Sequence, residues 1–205
     1  AINGMVSGPM TRRDKMLKRG FDLIFALIGL WLLWPIILLC WVIAWRDTGA
    51  NGFFFQTRIG QGGRPFRVVK LRTMRQAPGP FVTTAQDTRI TAWGARLRRW
   101  KLDELPQLWN VLWGQMSFVG PRPDVPGYSD RLEGDDRRLL SLRPGITGPA
   151  TLKYRDEESL LAAQTDPQTY NDQVIWPDKV AINLRYLDGW SFRRDLSYIL
   201  ETVRG

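Results

Sequence analysis

The sequence predicts an α+β fold that is mostly helical, with a small antiparallel sheet and an apolar N-terminal helix that associates with a membrane. Three observations support this prediction. Residues 23–45 form a run of 23 residues without a formal charge. Two runs rich in aromatic and β-branched residues, GFFFQTRIG and PFRVVKLRTM, are joined by the turn-rich GQGGRP. The remaining sequence alternates helical patterns with proline- and glycine-rich segments.

The composition limits the chemistry that the chain can carry. A formal net charge of +9 over 205 residues favours anionic partners, such as nucleic acid, acidic lipid headgroups or phosphorylated substrates. The sequence contains no histidine and one cysteine, Cys40, which excludes the commonest general base, a zinc site and a disulfide framework. Catalysis must therefore use carboxylates, lysine, arginine, tyrosine or hydroxyl groups. Mg²⁺, which prefers oxygen ligands, is the metal that this inventory permits.

The uncharged segment allows two interpretations. A straight helix of this length would extend roughly 35 Å, enough to cross the hydrocarbon core once. However, Pro35 lies in its middle, and basic residues flank both of its ends. Because positive flanks favour the cytoplasmic side, a helix that enters the membrane, breaks at Trp34 and Pro35 and returns would satisfy both ends. These residues by themselves leave a single anchor and a re-entrant hairpin open.

The other elements are predicted from local signals. Residues 1–10 are interpreted as a disordered or tag-like start, and residues 75–88 as a polar loop. One helix is predicted at residues 88–100 and another from Asp103 onward, where Pro106 is tolerated in a first turn. The segments GPRPDVPG and RPGITGP are predicted to be extended loops. Further helices are predicted at residues 129–141, 156–164, 177–187 and 193–203.

The strongest catalytic candidates are Asp103 and Glu104, in RRWKLDELPQLWNVL. Adjacent carboxylates at a helix start usually serve as caps. Here, however, five cations lie in the fourteen preceding residues: Arg89, Arg96, Arg98, Arg99 and Lys101. A helix start and nearby positive charge are both expected to lower a carboxylate pKa, so Asp103 is expected to be ionised and available as a nucleophile.

Four further cations are candidates for phosphate binding. Prolines on both sides of Arg122 in VGPRP fix the backbone and can aim the guanidinium at a phosphate. Lys70 and Arg72 share one face of the second predicted strand. Arg143 begins RPGITG, where two glycines would allow a phosphate or sugar to approach the backbone. The same patterns are also typical of a rigid surface turn and of solvent-facing cations.

Taken together, KRGFDL with its following WP, FRVVKLRTM, LDELPQLWNVLWGQMSFVGPRP and RPGITGPA resemble the monotopic phosphoglycosyl transferase superfamily, also called bacterial sugar transferases. The resemblance extends over residues 15–200 and is similar in length to small members that consist of the catalytic domain. It implies a monotopic protein of the bacterial inner membrane, with a re-entrant hairpin at residues 11–46 that breaks at Trp34 and Pro35. Trp34 replaces a serine that is common in the family. Residues 47–205 would form the catalytic domain on the cytoplasmic face.

The resemblance also implies an activity: transfer of a sugar 1-phosphate from a UDP-sugar to a polyprenol phosphate such as undecaprenyl phosphate, with release of UMP. Asp103 would carry a covalent phosphosugar intermediate, while Glu104 would hold Mg²⁺ together with Asp103 or act as a base toward the acceptor. Basic positions that contact phosphates or support the site in the family match Lys70, Arg98, Arg122 and Arg155. The segment PATLKYRDEESL departs from the family's more familiar WAQVNGRN-type sequence at this last position.

The expected partners are therefore a UDP-sugar, a polyprenol phosphate and inner-membrane phospholipid, without nucleic acid, and a homodimer stays open. Two other classes of protein compete with this interpretation. A membrane-anchored basic module that binds acidic lipid or nucleic acid without catalysis gives no role to the LDEL and GPRP motifs. A soluble nucleic-acid binder with a buried apolar helix is disfavoured by the uncharged run. Release of UMP from a UDP-sugar would separate the enzyme from both.

Overall fold

The computed structural model of the chain describes residues 10–77 and 87–204. Its helices are α1 (Arg12–Thr48), α2 (Ala92–Arg99), α3 (Gln107–Leu112), α4 (Pro149–Lys153), α5 (Glu157–Ala162), α6 (Pro167–Tyr170), α7 (Trp176–Asp188) and α8 (Phe192–Arg204). Its strands are β1 (Phe53–Ile59), β2 (Pro65–Leu71), β3 (Ser117–Val119) and β4 (Gly145–Thr147). The mostly helical α+β prediction is confirmed. Residues 1–9 of the predicted tag-like start and residues 78–86 of the predicted polar loop lie outside the described residues.

β1 and β2 form the predicted antiparallel hairpin. Opposed residues of paired strands share a face, and alternate residues along a strand do the same, so Arg58 and Lys70 lie on one face of this sheet. Val68, on that same face, is buried in a cluster with Ala26 of α1. Leu71 is buried on the opposite face. The hairpin therefore presents two cations at the edge of a packed core.

The two proline-glycine segments, which were expected to be extended loops, pair with each other through β3 and β4 in parallel. The Gly120 N–H donates to the Thr147 carbonyl at 2.9 Å, and the Gly145 N–H donates to the Pro121 carbonyl at 2.7 Å. A Cβ atom on Gly120 would lie only 2.4 Å from the Arg143 carbonyl oxygen, so this backbone approach requires glycine. The predicted small antiparallel sheet is confirmed by β1 and β2, whereas this second, parallel pair was not predicted, because three-residue strands carry no alternation that a sequence pattern could reveal.

α1 is assigned as one continuous helix. It begins with a capping box at Thr11 and ends at Gly49, which adopts the left-handed conformation. Pro35 lies inside it, and the expected interruption at Trp34 and Pro35 does not appear as a break in the helix. A proline removes one backbone hydrogen bond and can leave helical turns on both sides. The re-entrant path therefore stays a prediction.

Both ends of α1 pack against the rest of the chain. Near the start, Lys18 forms an ion pair with Asp195 of α8 at 2.5 Å, and the buried Asp22 accepts the Phe118 N–H at 3.1 Å. Near the end, Ala44 is buried in a core cluster that includes residues of β2 and α2. The two termini of this 37-residue helix are thus held by the same domain.

The opposite face of α1 is apolar and exposed. Within residues 10–77 and 87–204, α1 is the one helix long and apolar enough to cross a membrane, by length and composition, and 17% of its most apolar stretch is buried. Its large exposed side chains include Phe25, Ile28, Trp31, Leu32, Trp34, Leu38 and Leu39. This exposure contradicts a soluble binder whose apolar helix forms the core.

Several helix predictions are confirmed and two are corrected. The predicted helices at residues 156–164, 177–187 and 193–203 correspond to α5, α7 and α8. The region 129–141 instead forms 3-10 turns at Ser129–Arg131 and Gly134–Ser141. Asp103 lies on a 3-10 turn, Leu102–Glu104, and α3 starts only at Gln107. Pro106 lacks an N–H and directly precedes α3, which is consistent with a helix start.

Candidate active site

Glu104 is clamped by two cations from separate elements. Its carboxylate accepts a hydrogen bond from Lys70 Nζ at 3.1 Å, and it accepts hydrogen bonds from both terminal nitrogens of Arg122, one of them at 3.4 Å. Lys70 is on β2, whereas Arg122 follows β3. These charge-assisted bonds connect the 3-10 turn, the hairpin and the VGPRP segment at one point. The structure therefore brings together three of the residues predicted from the sequence.

Asn110, which the sequence interpretation did not single out, fixes α3 against β2. The Val69 N–H donates to Asn110 Oδ1 at 3.0 Å, and Asn110 Nδ2 donates to the Arg67 carbonyl at 2.8 Å and to Gln115 Oε1 at 2.7 Å. The side chain is fully buried, so each of these bonds replaces one to water. Asn110 thereby holds the helix that follows the carboxylate pair against the strand that carries Lys70.

The carboxylate pair, Asp103 and Glu104, follows a residue in an unfavourable backbone conformation. Lys101 has φ of 55°, and it is the one non-glycine residue with positive φ in the described part of the chain. This left-handed residue follows the C-cap of α2, Trp100, and directly precedes the 3-10 turn. Backbone strain of this kind is common where a functional group must be held in a fixed position.

The two adjacent carboxylates have opposite electrostatic environments. Burial, followed by the charge of Glu104, raises the pKa of Asp103 to about 6, against the opposing charges of Lys70, Arg98 and Arg122. Burial would also raise the pKa of Glu104, but Arg122 and Lys70 outweigh it and hold that pKa well below its usual range.

The prediction of a lowered Asp103 pKa is therefore wrong, because burial and the charge of Glu104 outweigh the cations that lower it. Its side chain is buried, with 8% exposure, and its Oδ1 atom has no hydrogen-bond partner among the described residues. Two of the five cations that were expected to stabilise its charge pair with other carboxylates, Arg98 with Glu158 of α5 and Arg89 with Asp87. The cations nearest to the carboxylate pair, Lys70 and Arg122, form ion pairs with Glu104. A carboxyl with this pKa is nevertheless mostly ionised at neutral pH, and its Oδ1 atom is buried without a hydrogen bond from the described residues.

Arg58 is a functional candidate that the sequence interpretation missed. Its guanidinium donates to the Pro123 carbonyl at 3.1 Å and to Gln56 Oε1 at 2.7 Å. Burial and then the neighbouring Arg122 lower its pKa to about 10, with partial compensation by Asp124 and Glu104. A narrow cleft beside the carboxylate pair is lined by Arg58, Val68, Lys70, Gln107, Arg122 and Pro123. The register of the predicted hairpin was the available signal, because it places Arg58 and Lys70 on one face.

Three other predicted phosphate ligands are held away from the carboxylate pair. Each donates to a backbone carbonyl: Arg72 to Asn51 at 2.8 Å, Arg143 to Gly114 at 2.9 Å, and Arg155 to Glu201 at 3.2 Å. The glycines of RPGITG were expected to admit a phosphate or sugar, but the backbone at Gly120 occupies that approach. The role of this motif in the structure is to support the turn that carries Arg122.

The site can accept a metal through Asp103 more readily than through Glu104. Among the described residues, no cluster of three or more His, Cys, Asp or Glu side chains is arranged to hold a metal ion. Mg²⁺ is often bound by one or two carboxylates together with substrate phosphates, so a single carboxylate is sufficient. Asp103 Oδ1 has no hydrogen-bond partner in residues 10–77 and 87–204, whereas both oxygens of Glu104 already accept hydrogen bonds.

Comparison with known proteins identifies one family that matches almost the whole chain. The bacterial sugar transferase family matches residues 13–205. A UDP-glucose:undecaprenyl-phosphate glucose-1-phosphate transferase of Caulobacter vibrioides is 36% identical over 203 residues, which cover 96% of this chain and 72% of that protein. A protein of the same name from Xanthomonas campestris pv. campestris is 36% identical over 190 residues, covering 89% of this chain and 37% of that protein. The exopolysaccharide production protein ExoY of Sinorhizobium fredii is 31% identical over 204 residues, covering 91% and 83%.

Proposed function

Because the chain belongs to the bacterial sugar transferase family, we propose that it transfers a sugar 1-phosphate from a UDP-sugar to undecaprenyl phosphate at the inner membrane. The names of two relatives include the transfer of glucose 1-phosphate to undecaprenyl phosphate, which supports this acceptor class. One observation carries the proposal: a buried carboxylate with a free oxygen, Asp103, adjoins a carboxylate that holds two cations, Glu104.

In the first step, an oxygen of Asp103 attacks the β-phosphorus of the UDP-sugar. A bond forms between that oxygen and phosphorus, and the bond from phosphorus to the oxygen that bridges the two phosphates breaks, so UMP leaves with the bonding electron pair. A carboxylate with a pKa of about 6 is mostly ionised at pH 7.5 and more basic than an exposed aspartate. Phosphoryl transfer mainly requires charge neutralisation, which Lys70, Arg58 and Arg122 can supply.

In the second step, a phosphate oxygen of undecaprenyl phosphate attacks the phosphorus of the aspartyl intermediate. The bond from phosphorus to Asp103 breaks, which restores the carboxylate and releases the diphosphate-linked lipid. The attacking phosphate is already ionised near neutral pH, since the second pKa of a phosphate monoester is about 6. A separate general base is therefore unnecessary. Glu104, with its low pKa, is a weak base and is assigned to the positioning of Lys70 and Arg122.

Mg²⁺ fits this proposal as a metal held by Asp103 together with the donor's phosphates. When bound, it would neutralise the charge that develops on the diphosphate. Chelation by EDTA is expected to stop turnover, and added Mg²⁺ is expected to restore it. Turnover that persists in EDTA would contradict the metal requirement.

The packing of α1 supports a monotopic arrangement with both flanks on the cytoplasmic side. A helix of this length is about 55 Å long, while the hydrocarbon core is about 30 Å thick. Since Lys18 and Ala44 contact the same domain, a path that leaves the membrane on the side where it entered is consistent with these contacts. In a Cys40→Ala background, cysteines at positions 12 and 48 should both react with an impermeant reagent only in inside-out vesicles. Labelling of position 12 from the periplasm would refute this topology.

The decisive experiment separates catalysis from binding. Incubation of the purified chain with a UDP-sugar labelled in its β-phosphate, without acceptor, should release UMP and leave the label on the protein. Addition of undecaprenyl phosphate should then move the label to lipid. Asp103→Asn should abolish both steps, whereas the matched surface control Asp136→Asn should retain them. Full activity of Asp103→Asn would disprove the assignment of the nucleophile, and absence of UMP release from the unmodified chain would favour the non-catalytic membrane-anchored module.

A further inference from the structure

A second, larger cleft lies apart from the carboxylate pair. This open cleft has a volume of about 380 Å³ and is lined by Gly127, Tyr128, Arg131, Leu132, Asp172 and Trp176; it is called the aromatic cleft below. It shares no lining residue with the narrow cleft that contains Lys70 and Arg122. Its size falls within the range of small-molecule sites, which usually combine aromatic walls with a few polar groups.

The wall of the aromatic cleft is fixed by a network around one hydroxyl. The rings of Tyr128 and Trp176 meet edge to face, with centroids 5.3 Å apart and planes at 70°. The Tyr128 hydroxyl donates to Asp172 Oδ1 at 2.7 Å and accepts from Gln168 at 3.0 Å and from Asn171 at 3.2 Å. An edge-to-face contact covers only one face of one ring, so aromatic surface stays available to a flat ligand.

Two features of the rim suit a ribose and a phosphate. Asp172 lies on a π-helix, Asn171–Ile175, a rare helical form that is frequent at functional sites, and it is exposed to solvent. Its Oδ1 atom accepts hydrogen bonds from Tyr128, Gln168 and Asn171, whereas among the described residues Oδ2 accepts one from Gln168 alone, so Oδ2 can accept a further hydrogen bond from a ribose hydroxyl. Arg131 is exposed and forms no ion pair with any carboxylate in residues 10–77 or 87–204. Its guanidinium is thus available to an anionic ligand.

A charged group connects the aromatic cleft to the cations of the narrow cleft. Asp124 lies in the segment between Arg122 and Tyr128. Burial raises its pKa to about 6, against the opposing charges of Lys179 and Arg58. Lys179 is one turn beyond Trp176 on α7, whereas Arg58 lines the narrow cleft. The segment that leads to Tyr128 is held against β1, because Arg58 donates to the Pro123 carbonyl at 3.1 Å and the Ile59 N–H donates to the Asp124 carbonyl at 2.8 Å. This segment connects the aromatic cleft to the cations of the narrow cleft, and the lining of the aromatic cleft does not include the carboxylate pair.

We propose that the aromatic cleft binds the uridine of the donor, with the base against Tyr128 or Trp176, the ribose hydroxyls on Asp172 and the α-phosphate within reach of Arg131. This inference rests on the proposed function. The donor's own connectivity favours uridine over the sugar. The sugar is bonded to the phosphorus that Asp103 attacks and must lie beside the carboxylate pair, whereas uridine is attached through the other phosphate and lies farther away.

The test measures binding rather than turnover, with the full chain in nanodiscs and calorimetric titration of UDP, UMP, uridine and glucose 1-phosphate. Base stacking on an aromatic side chain contributes about 1–3 kcal/mol, so Trp176→Ala should weaken UDP and UMP binding by about 5- to 150-fold. Trp176→Phe keeps a stacking surface and should stay within about threefold of the unmodified chain. Val174→Ala, on the same π-helix but outside the cleft, is the matched control and should bind normally.

Two further variants identify which ligand groups are bound. They test the proposal even if Trp176→Ala does not fold. Asp172→Asn should abolish any preference for UMP over 2′-deoxy-UMP, because its carboxylate is assigned to the ribose hydroxyls. Arg131→Ala should weaken UMP about tenfold or more while uridine binding stays unchanged.

The outcomes separate this inference from the proposed function. Equal UDP affinity in the unmodified chain and a folded Trp176→Ala would overturn the uridine assignment. The uridine assignment would also be overturned if Trp176→Ala bound glucose 1-phosphate more weakly than the unmodified chain but bound UDP equally well. That result would assign the cleft to the sugar. Failure of the unmodified chain to transfer label to undecaprenyl phosphate would refute the proposed function, and this result is independent of the comparison between variants.

Discussion

Asp103 should reduce the stability of the protein because it is ionised where it is buried. The folded protein binds the Asp103 proton more tightly than the unfolded chain, with a pKa of about 6 against 3.8. The protonated carboxyl therefore favours folding at pH below 3.8, and this contribution is lost as the pH rises through about 6. This difference between the folded and unfolded pKa values lowers the free energy of unfolding at pH 7.5 by up to roughly 3 kcal/mol.

Asp103→Asn removes this cost and should stabilise the protein while it abolishes transfer. For a domain of this size, about 3 kcal/mol corresponds to an increase in melting temperature of roughly 6–12 °C. Glu104→Gln should have the opposite effect, because it leaves Lys70 and Arg122 partly buried without a counter-charge, at a cost of roughly 3 kcal/mol. The pair of variants is matched, since each replaces a carboxylate by the amide of the same shape at adjacent positions.

The assay is thermal unfolding in detergent, followed by tryptophan fluorescence at pH 7.5 and at pH 5. At pH 5 most of Asp103 is protonated in the folded protein but still ionised in the unfolded chain, so the advantage of Asp103→Asn should shrink to roughly half of its value at pH 7.5. A melting temperature of Asp103→Asn at or below that of the unmodified chain at pH 7.5 would refute the reasoning. So would a stabilisation that is independent of pH.

Three further predictions concern the same site. Transfer activity should fall as the pH decreases through about 6, by about tenfold per pH unit below it, because a protonated Asp103 cannot attack phosphorus; a profile that is flat down to pH 5 would contradict this. Asn110→Ala should lower the free energy of unfolding by about 1–3 kcal/mol and reduce kcat, since it leaves the Val69 N–H without its acceptor, and unchanged chemical denaturation would show that this hydrogen bond is unimportant. Lys101→Gly should leave the free energy of unfolding unchanged or raise it by up to about 1 kcal/mol, because glycine adopts this φ without strain. Lys101→Val should lower the free energy of unfolding by about 1–2 kcal/mol, and equal melting temperatures of the two variants would argue against strain at this position.

The sequence predicted those features of the site that depend on local patterns. The hairpin follows from two strand-like runs around a glycine-rich turn, whereas its register, which puts Arg58 and Lys70 on one face, is known from the structure. The LDEL and GPRP motifs identified Asp103, Glu104 and Arg122 as candidates that the structure places together or in adjacent positions.

Predictions that depended on partners distant in the chain were less successful. Arg72 lies over the ring of Phe54, which is opposite Lys70, as expected for a shared face, but its guanidinium donates to the Asn51 carbonyl. Arg143 is held at Gly114 in the same way. An arginine has five donors that can be satisfied by any carbonyl within reach, so its position in a motif does not determine its contacts. Asn110 was overlooked because a single buried amide has no periodic signature.

The sequence by itself determined that an uncharged run of 23 residues precedes a basic domain and that two carboxylates stand side by side in a cationic stretch. These properties depend on residue type and spacing alone. Only the tertiary structure decided which carboxylate is compensated. Lys70 and Arg122 lie 34 and 18 positions from Glu104, and they reach Glu104 rather than Asp103. Because burial and ion pairing act on individual side chains in space, neighbours in sequence can have opposite pKa shifts.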